Sequence, residues 1–120
     1  MENRILIRHR ENWALDEKRV VEACKKALKH WNLKEDIELS VYFVGRKKAR
    51  ELNMEYRKMD YYPQVLGFPM NREKSADGYI RLGDVVICTQ KLKYEAEYQK
   101  KDIEVILDEW MVHGVENLLK

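Results

Sequence analysis

The sequence predicts an α/β domain of the α+β kind: a small mixed four-stranded sheet with helices packed on it, in the order βαβαββαα. Three stretches carry that reading. Glu38–Val44 (ELSVYFV) alternates and is rich in β-branched and aromatic residues, the pattern of a strand. Gly83–Thr89 (GDVVICT) is a continuous apolar run bounded by polar residues, which suits a strand buried on both faces. From Asp102 to the end, Ile103, Ile106, Leu107, Trp110, Met111, Gly114 and Leu118 fall on one helical stripe.

The remaining elements follow in order. Arg4–Arg8 (RILIR) reads as a short first strand. Asp16 is placed to cap the next helix, because its carboxylate can accept from the orphan N–H groups of a first turn. That helix carries Val20, Val21, Cys24, Ala27, Leu28 and Trp31 on one face and Lys25, Lys26 and Lys29 on the other. After the second strand and Gly45, residues Lys47–Met59 put Ala49, Leu52 and Tyr56 on one stripe with Asn53 beside them. Tyr61–Pro69 (YYPQVLGFP) has two prolines and a glycine, so it reads as a loop feeding a short extended stretch, Val65–Phe68. Met70–Gly78 is polar and reads as an exposed turn, and Thr89–Tyr98 as a penultimate helix.

The chain of 120 residues suits one domain, 1–120, without disulfides or a structural metal to hold it. A hydrophobic fraction of 45% beside 37% charged residues predicts a packed core under a charged surface and argues against disorder. The net charge of +2 is too small for a dedicated non-specific nucleic-acid binder, so any RNA site must come from local clustering. Cys24 and Cys88 are far apart and outside any CxxC pattern, which predicts two buried, reduced thiols. The charged start MENRILIRHREN has no signal core, and no apolar run approaches the ~20 residues of a membrane span. The expectation is a cytoplasmic protein with no membrane partner; the oligomeric state is not readable.

The last helix, DEWMVHGVENLLK, holds the most chemistry. Glu109, His113 and Asn117 form an i, i+4 ladder, with His113 and Asn117 at the edge of the apolar stripe. A histidine there, beside the small Gly114, is either a hydrogen-bonded boundary residue or a metal ligand projected into a cleft. Glu109 and Glu116 are solvated carboxylates or oxygen donors for magnesium or manganese. His9 and His30 have no ligand spacing to His113.

These residues sit in motifs that resemble the YbeY-type endoribonucleases of rRNA maturation. That family ends in a helix with HGxxHLxGxDxxH, whose histidines hold one zinc ion. His113-Gly114-Val115-Glu116-Asn117-Leu118-Leu119 is similar to its start, with Asn117 at the position of the second histidine. The sequence ends at Lys120, before the positions of Gly-x-Asp and the third histidine, so the zinc motif is incomplete here. The family's LNxxYRxxD is present as Leu52–Asp60, its PTDVLSFP loop is altered to Tyr62–Pro69 with Gln64 and Gly67, and its LGDIVI strand is Leu82–Ile87. The resemblance covers about Glu38 to Lys120.

It implies a metal-dependent hydrolase that cuts single-stranded RNA in rRNA maturation and ribosome quality control. Its partners would be single-stranded RNA, rRNA or a ribosomal subunit. One zinc at His113 would activate water or polarise a phosphoryl oxygen. Arg57 would be the catalytic arginine, its planar fork meeting a phosphate; outside the motif it would read as a surface ion pair. Lys58 and Lys47, in a basic cluster with Arg46, Lys48 and Arg50, would follow the RNA backbone or simply form a solvated face. Asp84 would orient a site group by a hydrogen bond, or cap the strand start. Tyr61 and Tyr62 would stack on bases or pack the loop. The other reading on the same scaffold is a non-catalytic RNA- or ribosome-binding module.

Overall fold

The computed structural model describes residues 3–9, 15–61 and 63–120. Its elements are β1 (Asn3–Arg8), α1 (Glu17–His30), β2 (Ile37–Val44), α2 (Arg46–Arg57), β3 (Val65–Pro69), β4 (Ile80–Cys88), α3 (Thr89–Gln99) and α4 (Ile103–Leu119). The order is the expected βαβαββαα. The four strands form one sheet, β1-β2-β4-β3. β1, β2 and β4 run parallel, and β3 pairs antiparallel with β4, so the sheet is mixed.

Each helix has a physical reason to start or stop where it does. Asp16 caps α1 by accepting from the Lys18 N–H at 3.0 Å. α2 ends at Arg57, two residues before the expected Met59, because Lys58 turns left-handed at φ 60° and its N–H closes back on Asn53 and Met54. A left-handed non-glycine residue costs about 1–2 kcal/mol, offset here by the closing hydrogen bonds that satisfy the last helical carbonyls. Lys100 ends α3 in the same way.

Alternation decides the two faces of the sheet. Leu39, Val41 and Phe43 of β2, with Val85 and Ile87 of β4, join a core under α1 and α4. Leu82 joins them although it is three residues from Val85. A register shift between β2 and β4 at Glu38/Leu39 restores the alternation past Gly83. The other face carries Tyr42, Val44, Asp84 and Val86 toward Leu52 and Tyr56 of α2. Tyr56, expected on one helical stripe with Ala49 and Leu52, is 60% exposed and meets Phe68 edge-on at 5.0 Å. Cys24 and Cys88 are free and buried, and burial pushes the Cys24 thiol up to about 12.

α4 is the keystone of the packing. It buries Ile106, Leu107, Trp110, Met111, Gly114, Val115 and Leu118. Each fully buried Leu or Met is worth ~1.5–3 kcal/mol. Arg19 of α1 grips Asp108 of α4 with two hydrogen bonds of 3.1 and 2.8 Å. Burial works against the Asp108 carboxylate, but Arg19 and Lys26 outweigh it and hold its pKa below the usual range. The Trp31 indole N–H donates to the Val112 carbonyl at 2.9 Å. Among the described residues, no helix is long and apolar enough to cross a membrane.

Gly114 sets how closely α4 lies on the sheet. A Cβ there would sit 2.7 Å from Val85 Cγ1 and 3.3 Å from Val65 Cγ1. Gly114→Ala should gain ~1 kcal/mol in helix propensity but lose roughly 1–3 kcal/mol to overpacking. The expected result is a less stable protein, with Val85→Ala in the same chain costing less than the sum of the two single changes. Urea unfolding of the two single variants and the double variant measures this. Strict additivity would contradict the close approach.

Candidate nucleic-acid cleft

The C-terminal end of α2, the loop into β3, the first turn of α3 and one face of α4 surround an open cleft of about 680 Å³. Arg57, Tyr61, Pro63, Gln64, Val65, Lys91, Glu109, Trp110, His113, Glu116, Asn117 and Lys120 line it. Helical spacing explains the α4 contribution, since Glu109, His113, Glu116, Asn117 and Lys120 recur at three- and four-residue steps. Asn117 reaches the floor because residue 67 is glycine. A Cβ at Gly67 would come within 2.7 Å of the Asn117 Cβ and 3.3 Å of the Gly114 carbonyl oxygen.

The opposite wall is built by Asn53, fully buried in α2. Its amide nitrogen donates to the carbonyls of Met59 at 3.0 Å and Tyr61 at 3.3 Å. Arg50 Nε donates to Asp60 at 2.6 Å, and that hydrogen bond holds the Asp60 carboxyl below its ordinary pKa. The Gln64 carbonyl is anchored by the Cys88 N–H at 3.0 Å. Asn53 and Asp60 therefore shape the loop, while Arg57 between them stays exposed at the cleft.

The charges of the cleft are unequally engaged. Glu109 faces Lys101 at 3.6 Å and Glu116 faces Lys120 at 3.4 Å. Among the described residues, Arg57 and Lys91 have no ion-pair partner, and His113 has no hydrogen-bond partner. Two cations thus face an open, wet cleft beside an imidazole. Such a site suits a polyanion with planar groups, because cations hold phosphates and exposed rings such as Tyr61 accept bases.

The structure brings Arg57, His113 and Asn117 together. Lys47 and Lys58 are exposed but do not line the cleft, and Lys58 Nζ instead donates to the Glu55 carbonyl at 3.2 Å. Asp84 lies on the far face of the sheet, in a hollow of about 320 Å³ with Tyr42, Tyr56 and Phe68. Its neighbour Val85 points at Gly114, so alternation turns Asp84 away from His113 and from the orienting contact expected of it. Burial raises the Asp84 pKa, opposed by the Ser40 hydroxyl. Tyr62 lies outside the described residues. Lys91 and Lys120 are cleft cations that sequence reasoning missed; neither belongs to a motif.

The donor set does not by itself fit a catalytic zinc. That metal takes three protein ligands of histidine, cysteine or carboxylate type. The cleft offers one imidazole, His113, with the neutral carboxamide of Asn117 one turn on. Among the described residues no group of three or more His, Cys, Asp or Glu is placed to hold a metal. His9 is bonded to Glu17 at 2.8 Å, and His30 stands edge-on to Trp31 at 4.8 Å.

Comparison with known proteins agrees with the motifs. The sequence model of the family described as Endoribonuclease YbeY matches residues 6–119. Proteins named endoribonuclease YbeY are similar to this chain. The one from Aquifex aeolicus is 40% identical over 84 residues, which is 70% of this chain and 55% of that protein. The one from Cellvibrio japonicus is 35% identical over 85 residues, 71% of this chain and 48% of its own. The one from Mycoplasma mycoides is 35% identical over 103 residues, 80% and 63%. The chain thus spans about half to two-thirds of the length of these curated relatives. The solution structure of a Thermotoga maritima protein superposes with a TM-score of 0.61 at 22% identity, covering 97% of this chain and 72% of that one, which shows a shared fold.

Asn53→Ala leaves two loop carbonyls without their donor and should cost about 1–3 kcal/mol. Urea unfolding should show a lower midpoint with an unchanged m-value. An unchanged midpoint would mean the amide does not hold the loop.

Proposed function

The chain belongs to the Endoribonuclease YbeY family, and on that premise we propose that it acts on single-stranded RNA in rRNA maturation, as a hydrolase of RNA phosphodiesters. The observation that carries the reading is Arg57, exposed and without an ion-pair partner among the described residues, opening into the same cleft as His113. Its guanidinium would grip a backbone phosphate bidentately and oppose the charge that builds on the phosphoryl oxygens. Lys91 would hold a neighbouring phosphate, and Tyr61 would take a base. A ribosomal substrate, a cytoplasmic setting and a role in ribosome quality control belong to the same proposal.

Zinc is the metal the family resemblance implies, and His113 is the residue of this chain that would touch it. The described donors do not complete such a site. Asn117, a neutral carboxamide one turn from His113 where the family has its second histidine, favours a second reading, in which this scaffold binds RNA or the ribosome without cutting it.

The test uses a labelled single-stranded oligonucleotide, with binding followed by anisotropy and cleavage followed on a denaturing gel. Arg57→Ala should weaken binding about tenfold or more, as expected for a hydrogen bond to a charged group. It should also flatten the salt dependence by roughly 0.7 in slope, the share of one single-strand phosphate. Cleavage by the wild type, lost in Arg57→Ala, supports the hydrolase. Binding that depends on Arg57 without cleavage supports the binding module. Binding indifferent to Arg57→Ala would overturn both.

A further inference from the structure

A second hollow of about 450 Å³ opens beside the cleft, lined by Arg46, Gln90, Lys91 and Tyr94. Lys91 lines both spaces, so they are neighbours across one cation. The Arg46 backbone N–H donates to Gln90 Oε1 at 3.1 Å, which ties the start of α2 to the start of α3 and fixes the floor of this hollow.

Beyond it, α3 exposes an unusual surface. Leu92 and Ala96 are its buried residues. On the outward face, Tyr94 is 61% and Tyr98 72% exposed. Their rings lie 6.1 Å apart and within 9° of parallel. Lys91, Tyr94 and Tyr98 occupy i, i+3 and i+7, one line along the helix. Two exposed rings held parallel do nothing for the core. They offer flat apolar faces in line with Lys91, and Tyr94 shares its hollow with Arg46, which is the composition of a single-strand stacking platform.

We infer that α3 extends the RNA site. A single strand held at Arg57 and His113 continues over Lys91 into the Arg46–Tyr94 hollow, and its flanking bases stack on Tyr94 and Tyr98. This rests on the RNA reading of the cleft. Stacking tolerates any base, so the extension adds affinity with strand length and little sequence preference.

The experiment compares fluorescein-labelled uridine oligonucleotides of three and nine nucleotides by anisotropy on the full chain. Tyr94→Ala/Tyr98→Ala should weaken the nine-nucleotide strand by roughly thirtyfold or more, the loss of two stacked bases, and leave the three-nucleotide strand unchanged. Tyr94→Phe/Tyr98→Phe should keep wild-type affinity, because the rings and not the hydroxyls carry the contact. Arg57→Ala should weaken both strands. If the alanine pair leaves the long strand unaffected while Arg57→Ala weakens both, the α3 platform is wrong and the cleft reading survives. If Arg57→Ala is also without effect, the cleft reading fails and the platform falls with it.

Discussion

The site depends on one steric constraint: α4 lies against the sheet with no side chain of its own at Gly114. Val85 and Val65 fill the space that a Cβ would need. One turn further on, Asn117 meets Gly67 in the same way. These two glycine contacts fix the height of α4 over β3 and β4. They also fix where His113, next to Gly114, emerges at the lip of the cleft. The buried face of the helix supplies the energy, and the Arg19–Asp108 pair and the Trp31–Val112 hydrogen bond hold the helix against α1.

The second wall is a loop that a buried amide holds in shape. Asn53 binds two carbonyls of the segment after α2, and Arg50 binds Asp60 just beyond. Its Oδ1 is buried without a partner among the described residues, so the amide is committed through its donor side alone. Structural and functional roles are thereby divided within one short motif. Asn53 and Asp60 serve the backbone, and Arg57 between them faces the open cleft. Around it the carboxylates Glu109 and Glu116 are matched by lysines, which leaves Arg57 and Lys91 as the cations of the cleft without an ion-pair partner among the described residues.

Much of this was legible in the sequence because it is periodic. The order of elements, the Asp16 cap, the doubly buried β4 and the apolar stripe of α4 all follow from patterns of two or 3.6 residues. Placing Arg57 with His113 came from motif resemblance, not from periodicity. What was missed has physical reasons. The end of α2 was set by a left-handed Lys58, a conformation usually given to glycine. Asp84 was read either as orienting a site group or as capping the strand start; its face is set by the packing of Val85 against α4, which is tertiary information. Lys91 joins the cleft only because α3 folds beside α4, and no local pattern marks it. Tyr56 kept helical spacing with the buried Ala49 yet packs on Phe68 in the far hollow.

The central claim is that RNA enters on the α4 side of the sheet, between Arg57 and His113. The most direct measurement is an amide chemical-shift map of the isotope-labelled chain as a short single-stranded RNA is added. The account predicts that the perturbed amides gather at the end of α2, in residues 61–65, at the start of α3 and along the His113–Lys120 face of α4. Perturbations gathered instead around Tyr42, Asp84 and Val86 on the far face, or along the lysine face of α1, would contradict it.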